Sequence, residues 1–124
     1  MNKLLIVDDS PAMRKTIARM LRHAEIPITT VIEAGNGVDA LAKLQSDPDI
    51  EVILSDIDMR DMSGVELLQR VRALHDKERM PVIMVTNEGG DALMKRALDL
   101  GANGYVTKPC SPDSIRRALE AYLG

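Results

Sequence analysis

Asp8-Asp9, Asp56, Thr86 and Lys108 each close a short, largely apolar run, and these are the residues whose types could do chemistry together. Three carboxylates gathered in one crevice repel one another by about 4 kcal/mol per close pair at an effective dielectric of about 20. They must shift their pKa values or hold a cation. A donor set of oxygens, with neither His nor Cys in it, favours Mg2+ or Mn2+ over Zn2+. Mg2+ keeps several waters and takes a few carboxylates plus a phosphate oxygen, which leaves one carboxylate free as a nucleophile toward phosphorus. An ammonium and a hydroxyl on the far side of a phosphoryl group complete a clamp of positive charge and donors. These parts supply the positioning and charge neutralisation that phosphoryl transfer needs.

Such a set works only if the fold brings it together. Leu4 to Val7 reads as a buried strand ended by Asp8-Asp9. Ser10-Pro11 opens a helix, since Ser caps free N–H groups and Pro suits the first turn. Met13, Ile17, Met20 and Leu21 recur at helical spacing, and Pro27 stops the run; Arg14, Lys15, Arg19 and Arg22 read as its solvated face. Thr29 to Ile32 is a β-branched second strand. Gly35-Asn36-Gly37 marks a turn, and Val38, Leu41 and Leu44 a second helix that Asp47-Pro48-Asp49 breaks.

Val52-Ile53-Leu54-Ser55-Asp56 is the third strand, and it ends on a carboxylate. A loop from Ile57 to Met62 leads to Ser63-Gly64-Val65-Glu66, a capping-box pattern, and to the helical stripe Leu67, Leu68, Val71, Leu74. Pro81 to Val85 is a fourth strand closed by Thr86. A fourth helix runs from about Gly90 to Leu100, with Gly101 as its C-cap. Gly104 to Thr107 is a fifth strand closed by Lys108-Pro109. Ser111-Pro112 opens a last helix carrying Ile115, Ala118, Leu119 and Tyr122.

Strict β-α alternation, five times over, with apolar strands predicts an α/β fold: a parallel sheet covered by helices on both faces. In a parallel sheet all strand C-termini lie along one edge, where open α/β sheets bind their ligands. The 124 residues suit one domain, and neither a linker nor a repeat divides them. With 45% hydrophobic and 28% charged residues the chain is globular in composition. A net charge of −3 gives no general attraction to nucleic acid or anionic membrane. The apolar run after Met1 is too short for a signal peptide, and none approaches a membrane span. One cysteine, Cys110, allows no internal disulfide, as expected of a cytoplasmic protein. Phe and Trp are absent and there are eight methionines, so the core is expected to be aliphatic and thioether. His23 and His75 are isolated and read as surface residues.

The ordered set Asp8-Asp9, Asp56-Ile57-Asp58-Met59 followed by Gly64, then Thr86, Tyr105 and Lys108-Pro109 resembles the receiver domain of two-component response regulators, over the whole length. Within that family Ser10-Pro11-Ala12-Met13-Arg14, Val82 to Glu88, and Gly101 to Pro109 are similar to the CheY-like chemotaxis receivers. The resemblance implies a doubly wound, flavodoxin-like (βα)5 sheet in strand order 2-1-3-4-5, forming one receiver domain over residues 1–124 with no output domain. It implies that Asp56 accepts a phosphoryl group from the phosphohistidine of a sensor histidine kinase. Asp9 and Asp56 would bind Mg2+ (or Mn2+) directly, Asp8 through water, and Asp58 through its backbone carbonyl. Lys108 and Thr86 would hold the phosphoryl oxygens. Thr86 moving inward would make room for Tyr105 to turn, switching a surface built from helix four, strand five and helix five. Lys108-Pro109 is expected to be cis. The implied partners are the kinase, a downstream effector such as a flagellar motor switch, and a phosphatase, with neither nucleic acid bound directly nor membrane insertion. The protein would be a signalling module that catalyses only its own phosphorylation and dephosphorylation.

The chain departs from the family's pattern at several places. Arg60 stands where proline is common, and Cys110 where an aromatic is frequent. Asp58 and Glu88 occupy positions that in the family tune how readily water attacks the phosphoryl group. One alternative within the family is a phosphorelay intermediate. Outside it, an aspartyl-nucleophile phosphatase of the haloacid dehalogenase type would use Asp56-Ile57-Asp58, but it expects Thr or Val where Arg60 stands and its motif on the first strand. A flavin-binding flavodoxin-like protein would need a glycine- and hydroxyl-rich phosphate loop where Asp8-Asp9 lies.

Overall fold

The β-α alternation is realised as β1 (Lys3–Val7), α1 (Pro11–His23), β2 (Thr30–Ala34), α2 (Gly37–Ser46), β3 (Val52–Asp56), α3 (Gly64–Leu74), β4 (Val82–Thr86), α4 (Asp91–Asp99), β5 (Gly104–Thr107) and α5 (Pro112–Leu119). The structure, a computed structural model, describes residues 3–28, 30–59, 61–87 and 91–122. All four strand pairings are parallel, and the sheet order is β2-β1-β3-β4-β5. Among the described residues, no helix is long and apolar enough to cross a membrane.

The strand sequences account for that order. β3 and β4 are buried at every position and β1 at all but Lys3, as continuous apolar runs covered on both faces must be. β2 and β5, at the edges, are mixed. Side chains alternate between the faces, so β1 divides its apolar residues between two cores. Leu5 and Val7 join Ile53 and Met84 beneath α2, α3 and α4, with Leu67, Leu68, Val71, Met94 and Ala97. Leu4 and Ile6 join Val52, Leu54, Ile83 and Val85 beneath α1 and α5, with Ile17, Leu21, Ile115 and Leu119. Each such Leu or Ile contributes about 1.5–3 kcal/mol over an exposed one. Methionine fills the first core at Met59, Met62, Met80, Met84 and Met94, in keeping with a sequence that lacks Phe and Trp.

Helix ends follow the local chemistry. Ser10, Asn36, Ser63 and Ser111 are N-caps, each accepting from the backbone N–H three residues on. The reciprocal capping box forms at Ser111 and Ser114. At Ser63 the bond seen is Glu66 N–H to the hydroxyl, 3.1 Å. α4 ends in a paired bond pattern, Ala102 N–H to the Ala97 carbonyl and Gly101 N–H to the Leu98 carbonyl, with Gly101 at φ +110°.

Three boundaries differ from expectation by more than one residue. α1 ends at His23, before Pro27, because the chain turns at Glu25 with φ 56°. β2 runs on to Ala34, its ladder to β1 outlasting the β-branched residues. α5 ends at Leu119, and Tyr122 lies beyond it with its hydroxyl donating to the Asn103 carbonyl, 3.3 Å. The expected starts of the second strand at Thr29 and of the fourth helix at Gly90 lie outside the described residues.

Candidate functional site

Because the sheet is parallel, the C-terminal ends of β1, β3, β4 and β5 open on one edge, and Asp8, Asp56, Thr86 and Lys108 meet there from across the chain. One carboxylate oxygen from each of Asp8, Asp9 and Asp56 lies within 4.8 Å of the other two. The Lys108 ammonium stands 3.5 Å from Asp56 Oδ2 and 3.7 Å from Asp8 Oδ2. Asp8 is 1% exposed, Thr86 4% and Asp56 6%, so these polar groups sit at core depth.

Each is held by its strand. Asp8 N–H extends the β1–β2 ladder by donating to the Ala34 carbonyl at 3.2 Å. Its Oδ1 accepts from Ser10 N–H at 2.9 Å, a turn that swings the chain into α1. After Asp56, Ile57 N–H still reaches Val85 at 3.0 Å, and Asp58 N–H folds back on Asp56 Oδ1 at 3.3 Å. Gly64 closes the loop from behind: its N–H donates to the Ile57 carbonyl at 2.9 Å, and a Cβ there would lie 2.4 Å from the Asp56 carbonyl oxygen. Lys108 N–H donates to the Thr86 carbonyl at 2.7 Å, tying the residue that carries the ammonium to the one that carries the hydroxyl. The Lys108–Pro109 bond is cis, as expected.

The electrostatics are unbalanced. Burial pushes the Asp56 carboxyl above its ordinary range; Lys108 opposes this, Asp8 adds to it, and Asp58 N–H counters. Asp8 Oδ2 is buried with no hydrogen bond, leaving Lys108 as its ionic neighbour at 3.7 Å. A buried acceptor in that state is costly and calls for a further partner. A hard cation is the partner that three converging carboxylates and no nitrogen or sulfur ligand suit, so the residues present fit Mg2+.

The other expected site residues play different geometric parts. Asp58 is exposed on the loop. Tyr105, opposite Met84 in the β4–β5 ladder, is 50% exposed. The Thr86 hydroxyl donates to the Asn87 carbonyl at 3.3 Å. Burial raises the Cys110 thiol above its ordinary pKa, the opposite of what a reactive thiolate needs. Arg60 and Glu88 lie outside the described residues. Sequence reasoning missed Arg14. It does not belong to a solvated face: it donates from Nη1 to the Asp8 carbonyl at 2.7 Å and from Nε to Glu33 at 3.0 Å. Its place directly after the Ser-Pro opening of α1, one turn into the helix, was the available signal.

A five-stranded parallel sheet with this acidic edge defines a receiver, and the comparisons agree: residues 4–120 match the response regulator receiver domain, so the chain belongs to that family. Receivers are signalling modules that bind Mg2+ at an acidic pocket. Among relatives, the chain is 43% identical to a chemotaxis protein CheY homolog of Campylobacter jejuni, over 98% of this chain and 92% of that one. It is 40% identical to the chemotaxis protein CheY1 of Helicobacter pylori, over 98% and 97%. The crystallised chemotaxis response regulator CheY4 of Vibrio cholerae superposes with a TM-score of 0.84 at 32% identity, covering 99% of both chains.

Proposed function

We propose that this receiver domain takes a phosphoryl group on Asp56 from the phosphohistidine of a sensor histidine kinase, and that the phosphorylated form presents a changed α4–β5–α5 face to a downstream protein. The observation that carries the reading is the convergence of the Asp8, Asp9 and Asp56 carboxylates within 4.8 Å, with Lys108 3.5 Å from Asp56. In the transfer, a carboxylate oxygen of Asp56 forms a bond to phosphorus as the phosphorus–nitrogen bond to the donor imidazole breaks. Bound Mg2+ would neutralise charge on the phosphoryl oxygens.

The chain's own residues divide the rest of the work. Asp9 and Asp56 would hold the cation directly, Asp8 through water and Asp58 through its carbonyl. Lys108 pairs with a phosphoryl oxygen in place of its present carboxylate neighbours. Thr86 hydrogen-bonds another oxygen and gives up its bond to the Asn87 carbonyl, which is long at 3.3 Å. Tyr105, half exposed, is free to turn into the space that Thr86 leaves. Asp58 and Glu88 tune attack by water.

The relatives are named chemotaxis proteins, which supports chemotaxis-type signalling. In this reading the domain works in the cytoplasm, a flagellar motor switch is its downstream protein, and a phosphatase ends the signal. Incubation with acetyl phosphate or beryllofluoride and Mg2+, followed by intact mass or amide NMR, tests the chemistry. Wild type is expected to gain one phosphoryl group from acetyl phosphate, or to bind one beryllofluoride, and Asp56→Asn neither. An unmodified wild type, or a modified Asp56→Asn, would sink the assignment.

A further inference from the structure

Two adjacent carboxylates cannot face one cation from a regular strand, because successive side chains point to opposite faces. The chain must leave the sheet between Val7 and Asp9, and something must fix how it leaves. Asp8 N–H is still in the ladder, bonded to Ala34. Its carbonyl accepts from Arg14 Nη1 at 2.7 Å. That carbonyl and the Asp9 N–H belong to one planar peptide unit, so whatever holds the oxygen sets the plane from which Asp9 projects. Arg14 is itself held: its Nε donates to Glu33 Oε1 at 3.0 Å, and its side chain is only 18% exposed. Glu33 lies on β2, next to the Ala34 that anchors Asp8 N–H, and its carbonyl accepts from Lys43 Nζ at 2.6 Å. The bend is thus fixed from three elements, β2, α1 and α2.

We infer that Arg14, braced by Glu33, is a positioning residue for the cation: it orients the Asp8–Asp9 peptide so that both carboxylates turn toward Asp56. The inference rests on the proposed Mg2+-dependent receiver chemistry. Charge and positioning predict opposite signs for removing Arg14. A guanidinium beside the site repels a divalent cation, so charge alone makes Arg14→Ala bind Mg2+ more tightly. Loss of positioning makes it bind more weakly, by about 10-fold, as for groups that orient metal ligands elsewhere.

Calorimetric titration of Mg2+ into wild type, Arg14→Ala, Arg14→Lys and Glu33→Gln decides between them, with thermal melts in EDTA and phosphorylation by acetyl phosphate across a Mg2+ series. Arg14→Ala is expected to bind Mg2+ about 10-fold more weakly, yet to phosphorylate at close to the wild-type rate once Mg2+ saturates. Arg14→Lys, which lacks the two-pronged fork, falls between the two, and Glu33→Gln shows a smaller loss. Unchanged or tighter Mg2+ binding by Arg14→Ala, whatever its melting temperature, overturns the inference, as does a phosphorylation defect that saturating Mg2+ leaves in place. Wild type that binds no Mg2+ would overturn the proposed function and this inference with it. Wild type that binds Mg2+ no better than Arg14→Ala overturns the inference alone.

Discussion

Asp56 and Arg72 sit at opposite ends of the same parallel sheet, and each is a charged group drawn partly out of water. Their surroundings could hardly differ more. Arg72 donates to the carbonyls of Gly101 at 2.8 Å, Met80 at 2.9 Å, His75 at 3.3 Å and Asp76 at 3.4 Å, and to Asn103 Oδ1 at 2.9 Å. Asn103 continues the network: its Oδ1 accepts from Val82 N–H at 3.0 Å, and its amide donates to the Lys77 carbonyl at 3.0 Å. Burial pulls the Arg72 pKa down while Asp76 opposes it, and the carbonyls at the end of α3 welcome a cation. At the carboxyl edge, one ammonium serves two carboxylates at 3.5 and 3.7 Å, and Asp8 Oδ2 has no hydrogen bond. The first arrangement is complete in the folded chain and serves stability. The second leaves a buried acceptor without a hydrogen bond, an imbalance that a ligand can use.

The sharpest way to break the contrast is Arg72→Ala. It strands several carbonyls and the Asn103 side chain at the start of β4 and β5, and should cost about 2–4 kcal/mol in urea unfolding. Phosphorylation of the folded fraction at low temperature should keep its wild-type rate. A variant that lost phosphorylation while keeping its stability would mean that the two ends are not separate in role. Gly101→Ala probes the same network more gently. Its backbone sits at φ +110°, and a Cβ would approach Arg72 Nε to 2.9 Å. A loss of about 1–2 kcal/mol follows from the backbone alone. In a double-mutant cycle with Arg72→Ala the losses should be less than additive, since both act on one hydrogen-bonded cluster.

The two ends also differ in how far they can be read from sequence. β3 and β5 fall on the residues expected: β3 is a buried apolar run that stops at Asp56, and β5, though a half-exposed edge strand, is bounded sharply by Gly104 and by Lys108-Pro109. The carboxyl-edge site follows from topology: once the strands are parallel, their last residues meet however far apart they lie in the chain. Arg72 and Arg14 were hidden for the opposite reason. A basic residue on an amphipathic helix looks solvated, and nothing local shows that Gly101 and Asn103, 29 and 31 residues on, will supply acceptors for Arg72. The exposed Glu33 masked the continuation of β2 to Ala34 in the same way, since an edge strand tolerates a polar side chain where a central one does not.

The smallest expected effect has the opposite sign. Asp56→Asn removes the group that the carboxyl edge holds at a disadvantage. Burial, the largest influence on Asp56, raises its pKa in the folded protein, whereas the unfolded chain titrates near the ordinary 3.8. Protons are therefore bound more tightly by the folded state. The stability that Asp56 contributes is full below 3.8 and is lost as the pH rises through the raised folded pKa. At neutral pH and without divalent cation, the wild type carries that loss and Asp56→Asn does not. The variant should melt higher by a few degrees, a smaller change than either loss at the Arg72 end. Lowering the pH toward the ordinary carboxylate range should close the gap, because the wild-type carboxyl then becomes neutral too. Mg2+ should close it from the other side, stabilising the wild type by about 2.7 kcal/mol at a concentration 100 times its dissociation constant. A wild type that melts above Asp56→Asn in EDTA at neutral pH would show that Lys108 outweighs burial, and that the carboxyl edge, like the Arg72 end, is already satisfied without a ligand.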